Sequence, residues 1–337
     1  MRPRTDLESA AVDLDVVFLG TSGATPTAKR APAATLVRRG GERLLVDCAE
    51  GTQRQLLRSD VGLLELHEVF LTHYHADHYL GLPGMLKTYS LRGRELPLTI
   101  YGPRGLRDLL SALRRVFGRL SYPLETVELE PGDVLERDGY KLRAFAVNHG
   151  VPAVGYALVE SARPGRFDVQ IADALGVPDG PERGVLQQGV PVTLVDGTTV
   201  SPEQVLGPAR TGRKLVLTGD TAASASVVEE GAGADVLVHE ATFLADELER
   251  AHETLHSTAG EAALAAREAG VRLLALTHLS TRYFGHEVVE EARELFPDTV
   301  VPRDFDVIAI PFPERGVPAL HRSGARSYMA AIVSEQK

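Results

Sequence analysis

Six of the eleven histidines in this chain of 337 residues, with two aspartates, fall at or just past the ends of expected β-strands. The densest group is Thr72-His73-Tyr74-His75-Ala76-Asp77-His78, directly after the apolar run Val69-Phe70-Leu71. Side chains alternate along an extended segment, so His73 and His75 share one face. Asp77 and His78 then come from the turn that follows. Neutral imidazole and carboxylate are good ligands for a borderline divalent cation such as zinc. Two adjacent sets of donors suit a two-metal centre better than a single tetrahedral ion. A chain with this pattern must bring several strand ends to one edge.

The pattern recurs. His149 follows Phe145–Asn148, Asp220 sits in Thr218-Gly219-Asp220-Thr221, His239 follows Val236-Leu237-Val238, and His278 follows the run 273–277. In α/β architectures ligands gather beyond the carboxyl ends of strands, where a rigid scaffold holds side chains open to substrate. A lone histidine there is more often a core residue with a satisfied hydrogen bond. Five such strand ends together outweigh that reading.

Apolar runs rich in β-branched residues predict strands at 15–20, 34–39, 43–47, 69–72, 98–101, 141–147, 154–159, 215–218, 236–238, 273–277 and 307–310. Helical spacing falls at 52–58, 79–91, 104–117, 258–269 and 286–296, with Gly270 as a C-cap and Pro297 as a stop. Strands clustered in each half, with helices between them, predict two mixed sheets packed face to face with helices outside, an α/β fold of four layers, αββα. Residues 1–14 are polar and read as a flexible N-terminal tail, leaving 15–337 as the catalytic domain. Glycine and proline punctuate 163–189 around one helical piece at 169–175, which reads as an inserted, projecting arm.

The single cysteine, Cys48, excludes a disulfide framework and a cysteine-based zinc site, and fits a reducing, cytoplasmic compartment. No apolar stretch is long enough for a membrane span, and the start lacks the apolar core of a signal peptide. The net charge of −10 argues against a uniformly basic nucleic-acid-binding body. Between Gly84 and Leu120, however, Lys87, Arg92, Arg94, Arg104, Arg107, Arg114, Arg115 and Arg119 face only Glu95 and Asp108. That stretch is a candidate phosphate-tracking surface, with solvated helix faces as the plainer alternative.

From about Asp15 onward the chain resembles the ribonuclease Z family, tRNA 3′-processing endonucleases of the metallo-β-lactamase superfamily. The resemblance rests on Thr72 to His78 and on an ordered set outside it. That set begins Phe18-Leu19-Gly20-Thr21-Ser22, Asp47-Cys48-Ala49-Glu50-Gly51-Thr52-Gln53 and Gly81-Leu82-Pro83-Gly84. Tyr101-Gly102-Pro103, His149-Gly150-Val151-Pro152 and Thr218-Gly219-Asp220-Thr221 continue it, and His239-Glu240-Ala241-Thr242-Phe243, His256-Ser257-Thr258 and His278-Leu279-Ser280-Thr281-Arg282-Tyr283 complete it. Ala76 and Ala49 stand where the family often has glycine.

The resemblance implies a metallo-β-lactamase-type sandwich with two Zn²⁺ per subunit, Mn²⁺ or Fe²⁺ being chemically equivalent alternatives. His73, His75 and His149 would hold one ion, Asp77, His78 and His278 the other, with Asp220 bridging. Asp77 would also orient or deprotonate the attacking water, and His256 would protonate the leaving group. His239 and Glu240 would orient ligands, and Arg282 would meet a backbone phosphate. The arm, with Gly180-Pro181, would clamp precursor tRNA and serve the partner subunit of a homodimer. The chemistry fits independently: two zinc ions about 3.5–4 Å apart activate water, neutralise developing charge and stabilise a leaving oxygen. A small-molecule phosphodiesterase or other ester hydrolase on the same scaffold is the alternative.

Overall fold

The computed structural model describes residues 12–59, 61–63 and 66–323. Two compact units emerge, Glu160–Gly212 and the remainder from Asp13 to Val159 and from Arg213 onward.

The larger unit holds two mixed sheets. The eight-stranded sheet runs Ala319–His321, Val307–Ala309, Leu14–Gly20, Ala34–Arg39, Glu42–Val46, Glu68–Phe70, Leu98–Gly102, Leu124–Glu128 in spatial order. The seven-stranded sheet runs Thr299–Val300, Leu274–Thr277, Val236–Glu240, Lys214–Leu217, Val154–Glu160, Tyr140–Ala146, Val134–Arg137. Strand alternation sorts the apolar residues into three layers. Val16 and Phe18 join Tyr156, Leu158, Leu215 and Val238 in the core between the sheets. Their neighbours Val17 and Leu19 pack outward against Leu56, Leu82, Leu86 and Leu106 from the helices on the first sheet. On the far side Val216, Leu237 and Leu274 pack against Ala262, Ala263, Ala266 and Val288. Each fully buried Val or Leu side chain contributes about 1.5–3 kcal/mol relative to exposure. This is the expected αββα sandwich.

Helix Ala259–Ala269 starts with a capping box, Thr258 accepting from the amide of Glu261 while Glu261 accepts from that of Thr258, and ends at Gly270 in the left-handed conformation. The helix expected over 79–91 is divided into Ala76–Tyr79 and Leu82–Leu91. Pro83 has no amide to donate back to Tyr79, and Gly81 presses so closely on Ala49 that a Cβ would lie 1.9 Å from its carbonyl oxygen. The four edge strands, Leu124–Glu128, Val134–Arg137, Thr299–Val300 and Ala319–His321, have no counterpart among the expected ones, because such short or half-exposed stretches carry no apolar run. Order also begins before Asp15: Leu14 opens the first strand and the Asp13 carbonyl accepts from Gly40. Residues 1–11 of the expected tail lie outside the described residues.

The unit Glu160–Gly212 has its own small core of Ala172, Val177, Leu186, Val200 and Val205. Besides the helix Val169–Ala174, capped by Asp168, it contains a second helix, Pro181–Gln187, a hairpin pairing Val192–Thr193 with Thr199–Val200, and a short helix Pro202–Val205. The segment 163–189, read from its glycines and prolines, is thus the first half of a longer compact unit. Gly180 and Pro181 begin a helix here, with proline at the first position where a missing amide costs nothing.

Candidate metal centre

Strand ends supply the cluster. Thr72 to His75 follow strand Glu68–Phe70, and Asp77 and His78 lie on the short helix after it. Asp220 follows Lys214–Leu217, and His278 follows Leu274–Thr277. His73, His75, His149 and Asp220 place one ligand atom each within 4.8 Å of one another, and so do Asp77, His78 and His278. A third overlapping set, Asp220, His256 and His278, meets the same limit.

Distances show how the sets join. His75 Nδ1 lies 3.0 Å from His73 Nε2 and 3.2 Å from His149 Nε2. Asp220 Oδ2 lies 3.7 Å from His73 Nε2, 3.4 Å from His78 Nε2 and 3.3 Å from His278 Nε2. Asp77 Oδ2 is 3.2 Å from His278 Nε2 and 3.6 Å from His78 Nε2. Asp220 therefore stands between the two sets. His73, His78, Asp220 and His278 are buried, His149 is half-buried and His75 is exposed, so the cluster opens on one side. Beneath it a small void of about 40 Å³ is lined by Asp47, Thr72, His78, Asp220 and His278 among others.

The opposite ring nitrogens are pinned. Asp47 Oδ2 holds His78 Nδ1 at 2.8 Å, and Asp47 also accepts from the amide and hydroxyl of Thr72. The Leu255 carbonyl holds His149 Nδ1 at 3.1 Å, and Thr242 Oγ1 holds His278 Nδ1 at 2.9 Å. Such partners fix tautomer and ring orientation. Asp77 Oδ2 accepts from the Ala24 amide at 2.8 Å. Ala24, Asp47, Leu255 and His278 all have positive φ, between 47° and 59°, which non-glycine residues adopt only at a cost. Each of these strained residues is a cluster member or touches one.

Asp47, Thr72, Thr242 and the Leu255 carbonyl carry roles that the sequence did not assign to them. The first two stand in recognisable motifs, Asp47 at a strand end like the other donors. Glu240 Oε1 holds His256 Nδ1 at 2.8 Å and accepts from the Thr221 amide. His239 does not reach any cluster side chain. It is buried, and its Nδ1 donates to the carbonyl of Glu240.

Electrostatics follow burial and charge. Burial and the neighbouring imidazoles push His73 down to about 2, keeping it neutral. For His78 burial opposes protonation, but the Asp220 and Asp47 carboxylates outweigh it and hold the ring above its ordinary value. His256 is raised to about 9, because Glu240 outweighs the cost of burying its charge. Asp77 lies below the usual carboxylate range, since the His278 hydrogen bond and the charges of His78 and His278 overcome burial. The buried Cys48 thiol is pushed up to about 12 by desolvation and supplies no thiolate.

The residues fit a divalent metal. His78 Nε2 and Asp220 Oδ1 are buried with no hydrogen-bond partner, and both belong to the converging set. Donors of N and O type without thiolate suit zinc, manganese or iron.

The expected RNA-facing residues are not among the ligand sets. Arg282 is exposed but spends its charge on Glu247, at 3.5 Å, with its guanidinium 5.7 Å from the Phe243 ring centre. Lys87 makes one long contact to the Arg119 carbonyl, and Arg92 caps helix Leu82–Leu91 in solvent. Arg94, counted among the surface cations, is buried against Tyr89 and Tyr122, donating to the carbonyls of Leu96 and Pro97.

Comparison with known proteins agrees with this architecture. The family model of the Metallo-beta-lactamase superfamily matches residues 29–278. Ribonuclease Z of Methanosarcina acetivorans is 44% identical over 302 residues, covering 89% of this chain and 99% of the relative. Ribonuclease Z of Halobacterium salinarum is 49% identical over 305 residues, with 89% and 99% covered. The crystal structure of human tRNase Z, short form, superposes with a TM-score of 0.64 at 28% identity, covering 88% of this chain and 99% of that one. With near-complete coverage at this identity, and with the superfamily's histidine motif folded into a shared cluster, the chain belongs to the ribonuclease Z family of the metallo-β-lactamase superfamily.

Proposed function

We propose that this chain is a zinc-dependent endoribonuclease that removes the 3′ trailer from precursor tRNA and leaves a 3′-hydroxyl. The observation that carries the reading is Asp220, whose Oδ2 stands within 3.7 Å of imidazoles from both donor sets. His73, His75 and His149 would hold one Zn²⁺, and Asp77, His78 and His278 the other, with Asp220 shared. Bound there, the pair supplies a nucleophilic water at neutral pH and neutralises charge developing on the phosphate.

The chain's own residues do the rest. Asp77 sits at the partly open side, where its carboxylate would orient the water or take its proton. Glu240 ties down His256 Nδ1, which leaves Nε2 free to protonate the departing 3′-oxygen. That oxygen is a poor leaving group, so the proton is worth about 10²–10⁴-fold. The unit Glu160–Gly212 would contact tRNA by shape and not by charge, as it is acidic: Arg163, Arg166, Arg183 and Arg210 stand against Glu160, Asp168, Asp173, Asp179, Glu182, Asp196 and Glu203. Arg282, Lys87, Arg92 and Gly180-Pro181 are the proposed RNA contacts, with Arg282 first having to release Glu247. A homodimer acting in the cytoplasm completes the reading. No helix among the described residues is long and apolar enough to cross a membrane.

The test is cleavage of a 3′-extended precursor tRNA lacking CCA by metal-replete protein, with Asp77→Ala as control and end-mapping of the product. A single cut after the discriminator nucleotide, lost in the variant, is expected. No cut, with bis-p-nitrophenyl phosphate still hydrolysed, would move the substrate to small phosphodiesters.

A further inference from the structure

A second cavity, of about 530 Å³, lies outside the metal cluster. Five cations line it, Lys29, Arg30, Arg293, Arg303 and Arg322, and no carboxylate does. In a chain of net charge −10 this is a strong local reversal.

The cations are held from behind. Arg30 donates to the Thr21 hydroxyl at 2.6 Å and the Pro302 carbonyl at 2.8 Å, both through Nη1. Its Nη2 faces Gly285, where a Cβ would approach to 3.2 Å, so the bare glycine leaves that nitrogen open. Arg293 uses Nε on the Thr299 carbonyl, and Arg322 uses Nη1 on Asp306 and the Val301 carbonyl. The side chains of Lys29 and Arg303 have no hydrogen-bond partner among the described residues. Burial beside Arg303 and Arg322 lowers the Arg30 guanidinium below its usual value, although Asp304 and Asp306 pull it back.

The remaining wall is apolar and aromatic. Val289, Val300 and Val301 form one side. Phe284, 72% exposed, stacks on His286 with ring centres 5.7 Å apart and 22° between planes. An uncovered aromatic face beside a group of guanidinium and ammonium donors is the chemistry that recognises a base joined to phosphate. The volume falls within the range of about 300–1,000 Å³ usual for small-ligand pockets.

We infer that this cavity binds a nucleoside phosphate, its phosphates on Arg30, Arg293 and Arg303 and its base against Phe284. Two sources share that chemistry, a free nucleotide and a nucleotide of an RNA strand. Two segments tie the cavity to the metal cluster: 24–30 runs from the amide on Asp77 to Arg30, and 278–286 runs from His278 to His286.

The experiment is equilibrium titration of the full-length, metal-replete protein with adenosine 5′-diphosphate, inorganic phosphate and a short oligoadenylate. The same titrations are run on Arg293→Ala/Arg303→Ala and on Phe284→Ala. Binding of the diphosphate, weakened about tenfold or more in both variants, is expected for a free nucleotide. Binding of the oligomer alone, with the same losses, assigns the site to an RNA strand. Phosphate binding as tight as the diphosphate, no binding, or equal affinity in wild type and variants would each overturn the inference. Hydrolysis of bis-p-nitrophenyl phosphate is followed in parallel and should not change, which separates this site from the proposed reaction at the metals. Phe284 is exposed, so its variant keeps the test decisive even if the double variant folds poorly.

Discussion

His78 Nε2 and Asp220 Oδ2 face each other 3.4 Å apart in the interior, yet no hydrogen bond joins them. His78 Nε2 has no partner at all, and neither has the second Asp220 oxygen, Oδ1. An unsatisfied buried polar atom costs about 1–3 kcal/mol, and folded proteins carry few. Here two occur on neighbouring side chains, at the junction of both donor sets. The scaffold around them is paired in detail, so the cost is local to the point where cations would sit.

Metal removal follows directly. A cation that binds only the folded state stabilises it by about 2.7 kcal/mol at a hundred times its dissociation constant. Protein stripped with a strong chelator should melt several degrees lower and lose phosphodiesterase activity, and added Zn²⁺ should restore both. Differential scanning calorimetry with metal analysis checks this. An apo protein with unchanged melting temperature and full activity would refute the metal reading.

Asp47 is the least obvious residue of the centre. It holds His78 Nδ1 and both donors of Thr72, joining strand Glu42–Val46 to the motif after Glu68–Phe70. Asp47→Ala should lower metal affinity by about 10–100-fold, the usual effect of losing a ligand's supporting carboxylate. Competition against a chromogenic chelator measures it. Wild-type affinity in the variant would mean that packing alone orients His78.

The Glu240–His256 pair makes a prediction about leaving groups. If His256 supplies the proton, His256→Ala should slow RNA cleavage about 10²–10⁴-fold. It should slow bis-p-nitrophenyl phosphate hydrolysis far less, because nitrophenolate departs without protonation. Glu240→Gln should shift in the same sense, since it loosens the His256 ring. Equal losses on both substrates would instead make His256 part of the metal-holding set, consistent with its place near Asp220 and His278.

Much of this was legible in the sequence for a physical reason. Metal donors are few in type, and a motif with two alternating histidines on an extended segment announces its own geometry. The layered fold was legible because buried strands are continuous apolar runs. Asp47, Thr72 and Thr242 were not, because they act through hydrogen bonds to residues brought near only by the fold; Asp47 lies 31 positions from His78. The edge strand Leu124–Glu128 hides for the opposite reason, as half-exposed pairing leaves no hydrophobic signature. Arg94 misled the charge count, since its guanidinium is buried between aromatic rings with Nε and Nη2 on backbone carbonyls.

The unit Glu160–Gly212 closes its own small core, so its removal need not unfold the rest. Replacing 161–211 with a short glycine-serine linker should impair precursor tRNA cleavage far more than hydrolysis of bis-p-nitrophenyl phosphate. Parallel kcat/KM measurements on the two substrates check it. Matching losses would indicate that this unit supports the fold and not the RNA.

Gly219 links backbone geometry to the metal junction. It has φ +62°, and a Cβ there would lie 2.8 Å from the Thr72 Cβ. Thr72 cannot retreat, because Asp47 holds its amide and its hydroxyl. Gly219→Ala must therefore displace the other side, which is Asp220. The left-handed strain adds about 1 kcal/mol, and the clash adds more. The variant should melt lower and bind metal more weakly, with the loss of affinity approaching that of Asp220→Ala. If stability falls while metal affinity is retained, the turn would serve folding alone, and the position of Asp220 would be set by its imidazole neighbours.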